Sequence, residues 1–128
     1  MAVKRFPTVR DNGTVGTIES YLEQVFPKGS FYLKNPEGSN ARSDQGTGTF
    51  RQDWAKHQNK TPEDYKNEAA RRETVTVNTS YKLETIRRNV AEALGIPPTS
   101  IVLVDPRDEQ PSKLNIQLST FRGYWSKR

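Results

Sequence analysis

The chain has 128 residues, enough for one domain. Only 32% of them are hydrophobic, below the roughly 45–50% apolar share of ordinary globular domains. It contains no cysteine, which excludes disulfides, thiolate metal sites, iron–sulfur clusters and cysteine nucleophiles. The formal net charge of +5 is unevenly spread: residues 1–70 hold ten Lys and Arg against nine Asp and Glu, and residues 71–128 hold ten against six.

No apolar run approaches the roughly 18 residues of a membrane span. The basic start at Met1 is not followed by the apolar stretch of a secretory signal. The expectation is an intracellular protein, or one assembled into a particle such as a virion, without membrane contact.

The segment up to Gly16 has no sustained periodicity, and Asp11-Asn12-Gly13 is a turn signal. Ile18, Tyr21, Leu22, Val25 and Phe26 share one helical face, so a helix is expected over 18–26, stopped by Pro27. Phe31-Tyr32-Leu33 reads as a short strand and Asn35-Pro36-Glu37-Gly38 as a turn. A polar stretch without a large apolar residue follows, up to Thr49; it reads as a long loop in which Gly46-Thr47-Gly48 is flexible punctuation. Phe50 and Trp54 stand after it as isolated anchors. Thr61-Pro62-Glu63-Asp64 has the cap, proline and acids of a helix start, so a polar helix is expected over 62–70.

From Thr74 the patterning is cleaner. Thr74-Val75-Thr76-Val77 alternates as a strand. Leu83, Ile86, Val90, Ala93 and Leu94 repeat at helical spacing over 82–94, with Thr79 or Ser80 as the cap. Gly95 stands where a left-handed cap is needed, and Pro97-Pro98 prevents continuation. Ile101 to Val104 is a continuous apolar run, expected as a strand buried on both faces. Leu114, Ile116 and Leu118 alternate with polar residues and read as a last strand.

The expected fold is therefore α+β. A small β-α-β-β module, a helix packed on a small sheet, occupies 73–120; a lean, loop-rich, extended region occupies 1–72, and an aromatic and basic tail occupies 121–128. Thr85-Ile86, Val90 and Gly95-Ile96-Pro97-Pro98 before a strand resemble the helix end of ubiquitin-like domains over that short stretch alone; helix capping accounts for the same residues.

Few residues suggest catalysis. His57 is the one histidine, in a polar stretch without a nucleophile motif. Neither a catalytic set, nor a cofactor motif, nor a metal-ligand spacing is recognisable. Phe50, Trp54, Arg122, Tyr124 and Trp125 have the residue types of protein-interface anchors. Arg71, Arg72, Arg87 and Arg88 are the phosphate candidates. Low apolar content in the front region suggests burial completed on neighbours. That points to a non-enzymatic structural subunit of a large assembly that includes copies of itself. Its most concrete form is a small virion protein that decorates or cements a capsid or joins head to tail. The alternative is a nucleic-acid-binding module of a ribonucleoprotein.

Overall fold

The computed structural model describes residues 2–5, 12–58, 74–106 and 113–126. The expected helix over 62–70, the candidates Arg71 and Arg72, and the terminal Lys127 and Arg128 lie outside the described residues. The fold is mixed α+β. Its elements are β1 (Ala2–Arg5), α1 (Val15–Leu22), β2 (Phe31–Leu33), α2 (Thr47–His57), β3 (Thr74–Val77), α3 (Leu83–Leu94), β4 (Ile101–Leu103) and α4 (Leu118–Ser126), with a 3-10 turn at Pro98–Ser100. The strands form two antiparallel ribbons, β1 with β3 and β2 with β4.

Where an apolar stripe and its stop signals coincide, the element stands where the sequence puts it. Helix α3 buries Leu83, Ile86, Val90, Ala93 and Leu94. Gly95 ends it at φ 71°, ψ 41°, a left-handed conformation that glycine adopts without a Cβ penalty. The Ile96 amide closes the cap on the Ala91 carbonyl at 3.0 Å. Strands β2 and β3 lie on their expected residues.

Four expectations are corrected. The strand over Leu114–Leu118 is a turn followed by the start of α4. The two-residue alternation there is short, and Leu118, Phe121 and Trp125 continue at helical spacing, so helix burial wins. The aromatic tail is therefore the body of α4. The long loop ends early, because α2 begins at Thr47 and carries Phe50 and Trp54 one turn apart on a buried face. Strand β4 is buried on one face only, with Val102 half-buried. Helix α1 starts at Val15 and ends at Leu22; Val25 and Phe26 follow it as a turn whose amides donate to the Leu22 carbonyl.

The described part of the front half is not under-buried. Val15, Ile18, Leu22, Val25, Phe26, Leu33, Phe50 and Trp54 join Val75, Leu83, Ile86, Val90, Leu94, Ile101, Leu103, Leu118 and Phe121 in one hydrophobic core. Arg51 is fully buried among them. Its Nε donates to the Gly95 carbonyl at 2.9 Å and its Nη2 to the Leu94 carbonyl at 2.8 Å. A cation at the negative end of a helix is favourably placed.

Among the described residues the two halves of the chain are built alike, each as β-α-β-α. The sequence Thr-Phe-Arg-x-x-Trp occurs at Thr49–Trp54 and again at Thr120–Trp125. Pro27, Ser30, Leu33 and Pro36 match Pro97, Ser100, Leu103 and Pro106 in spacing and identity. The hydrogen bonds repeat too. Trp54 Nε1 donates to the Lys34 carbonyl and Trp125 Nε1 to the Val104 carbonyl, both at 2.9 Å. The first amides of α1 donate to Gln45 and Ser43 carbonyls; those of α3 donate to Ile116 and Leu114 carbonyls. These backbone partners replace side-chain caps, which neither helix has. Arg122 of the second half donates to the Val25 carbonyl after α1, mirroring Arg51 of the first half at the end of α3.

Both ribbons obey the same pseudo-twofold symmetry. In one, Phe31 faces Leu103, Tyr32 faces Val102 and Leu33 faces Ile101. In the other, Ala2 faces Val77 and Arg5 faces Thr74. Each ribbon takes one strand from each half. This is the geometry of a twofold homodimer written into one chain.

Candidate functional site

Alternation along β2 and β4 sends Leu33, Ile101 and Leu103 into the core and leaves Tyr32 and Val102 half-buried. A cavity of about 230 Å³ opens there, lined by Tyr32, Lys34, Arg87 and Thr99, with Val102, Leu103 and Leu114 as its apolar wall. No single segment holds it. Tyr32 and Lys34 come from the first half; Arg87 comes from α3, Thr99 from the 3-10 turn and Leu114 from the turn before α4.

The backbone of Lys34 is fixed from two sides. Its amide donates to the Ser100 carbonyl at 2.9 Å, and its carbonyl accepts from the Trp54 indole. Arg87 is anchored by Nη1, which donates to the Ile101 carbonyl at 3.3 Å. Its Nε is buried without a hydrogen-bond partner, an arrangement that costs about 1–3 kcal/mol when nothing accepts the proton. Burial pulls the Arg87 guanidinium below its ordinary pKa, with Glu84 acting in the opposite direction. Arginine does not lose its proton at neutral pH. Desolvation therefore leaves a charged group short of partners, beside apolar walls that strengthen any ion pair made there.

The pseudo-symmetric place in the first half has different chemistry. Glu19 occupies the position of Arg87, and Ser43 that of Leu114. The Ser43 hydroxyl donates to Glu19 Oε1 at 3.1 Å. The two halves thus differ here, with a cation-lined cavity on one side and an acid–hydroxyl pair on the other.

Of the described residues proposed from sequence, Arg87 alone lines the cavity. Arg88 is exposed and does not line it. Phe50 and Trp54, expected as exposed anchors, are buried at 0% and 3% relative exposure. Arg122 and Trp125 donate to carbonyls of their own chain, and Tyr124 is half-buried on α4. His57 is exposed, with its ring edge-on to Trp54 at 5.8 Å. Among the described residues no group of three or more His, Asp or Glu is placed to hold a metal ion, and no helix is long and apolar enough to cross a membrane.

Sequence reasoning missed Tyr32, Lys34 and Thr99. They have no motif of their own and meet Arg87 through the pairing of β2 with β4. The internal repeat was the available signal, since aligning the two halves sets Glu19 against Arg87 and exposes the divergence. Compared with protein-family models, with curated proteins and with solved structures, the chain matches none.

Proposed function

We propose that this protein is a nucleic-acid-binding module that works without catalysis, as a component of a ribonucleoprotein. The observation that supports it is the cavity holding Lys34 and the half-buried Arg87, whose buried Nε has no partner. Arginine and lysine hold phosphate oxygens, with hydroxyls such as those of Tyr32 and Thr99 in auxiliary roles. The net charge of +5 supports the encounter with a polyanion.

The test is fluorescence anisotropy with labelled single-stranded RNA and DNA of mixed sequence across a salt series. Two cations engaging phosphate predict a log–log salt slope between about −1 and −2. No binding to either strand at low salt would exclude this reading.

The second reading is a structural subunit of a large assembly, in its most concrete form a small virion protein. The duplicated build favours it, because a pseudo-twofold body presents two similarly framed surfaces and can bridge two neighbours. It predicts self-association or a particle-sized native mass by light scattering. A monomer at all accessible concentrations counts against it.

A further inference from the structure

We propose that the cavity formed by Tyr32, Lys34, Arg87 and Thr99 holds the terminal phosphate monoester of a nucleic-acid strand. This rests on the nucleic-acid reading above and narrows it to strand ends. Three observations carry the inference. The first is charge: two cations, Lys34 and Arg87, line one cavity, and Glu84 beside Arg87 offsets only part of their charge. A phosphate monoester carries a charge of about −1.5 to −2 at neutral pH, whereas an internal phosphodiester carries one.

The second is the extent of the cationic surface. A groove that tracks a strand needs a succession of cations along the backbone path. Here the cations do not continue to the symmetry-related place, where Glu19 and Ser43 bond to each other. An acid there opposes an extended polyanion and leaves a local anion site on the other half. The third is the state of the donors. Arg87 Nε is enclosed and out of a ligand's reach, while Nη1 donates to the Ile101 carbonyl and holds the guanidinium of this cavity-lining residue in place. The Lys34 backbone is fixed by Ser100 and Trp54. Arg87, anchored through its side chain, loses little freedom when an anion arrives, whereas the Lys34 ammonium reaches it on a flexible stem from a fixed backbone.

The experiment uses the full chain and an eight-nucleotide labelled strand in three forms, 5′-phosphate, 3′-phosphate and both ends hydroxyl, with inorganic phosphate and adenosine 5′-monophosphate as unlabelled competitors of the phosphorylated strands. One end-phosphorylated form is expected to bind at least tenfold tighter than the hydroxyl strand. That advantage should shrink as pH falls through about 6, where a phosphate monoester takes up its second proton. Lys34→Met and Thr99→Glu are expected to abolish the advantage. Both leave the Lys34 backbone bonds intact, and Thr99 is exposed at the rim, so circular dichroism of the variants should match the parent.

Equal binding of phosphorylated and hydroxyl strands overturns the inference and leaves the nucleic-acid reading standing. Failure of every strand to bind at low salt overturns both. Inorganic phosphate or the mononucleotide binding as tightly as the phosphorylated strand also overturns the assignment to strand ends, and identifies a small-molecule phosphate site instead.

Discussion

Arg51 and Arg122 are the same residue of a repeated motif, used in two environments. Arg51 is fully buried, and two of its nitrogens donate to the last carbonyls of α3. Arg122 is half-exposed, and two of its nitrogens share the Val25 carbonyl. A hydrogen bond to a charged group is worth about 1.5–3 kcal/mol, and a buried carbonyl left without a donor loses its desolvation compensation. Arg51→Met is therefore expected to destabilise the fold by about 3 kcal/mol, and Arg122→Met by about 1 kcal/mol, because water replaces its partner. Urea unfolding midpoints of the two variants test this ordering; equal losses would contradict it. At this scale the sequence could name an arginine beside aromatics but not its role. Whether such a residue meets a phosphate, a partner or a helix end depends on what folds against it.

At the scale of elements, glycine is the informative residue. Gly95 caps α3 with positive φ, while Gly123 lies inside α4 with nothing within 4 Å of the place a Cβ would occupy. Gly123→Ala removes the entropic cost of glycine in a helix and is expected to stabilise the protein by about 0.5–1 kcal/mol. Gly95→Ala forces an L-residue into the left-handed region and is expected to destabilise it by about 1 kcal/mol. Thermal melts of the two variants should shift in opposite directions, and a shared sign would refute the assignment.

The same contrast explains which elements were legible. Helix α3 has an apolar stripe and a glycine stop, both visible in the sequence. Helix α2 opens on Thr47-Gly48-Thr49, residues of poor helix propensity. Its existence rests on the burial of Phe50, Arg51 and Trp54, which no local signal announces.

For the whole molecule, the decisive fact is that among the described residues neither half owns a sheet. Each two-stranded ribbon pairs a strand of the first half with one of the second. An isolated two-stranded hairpin is at best marginally stable in water, and the core draws on both halves. Unfolding is therefore expected to be a single cooperative transition. Far-ultraviolet dichroism should coincide with tryptophan fluorescence, which reports one indole from each half. Two separated transitions would show that the halves fold independently. The low apolar content of the front half, which suggested burial on neighbours, is met inside the chain by its pseudo-symmetric mate.

The sequence by itself determined the α+β class, the strands at 31–33 and 74–77, helix α3 with its glycine cap, and the exclusion of cysteine chemistry. These follow from side-chain periodicity and backbone stereochemistry, which act within a few residues. Tertiary structure alone decided that 47–57 and 118–126 are helices, that two similar halves share one core, and that Lys34 and Arg87 line one cavity. The physical reason is that burial and strand pairing join residues far apart in the chain. A side chain's partners, and hence its chemistry, are set only when those distant surfaces meet.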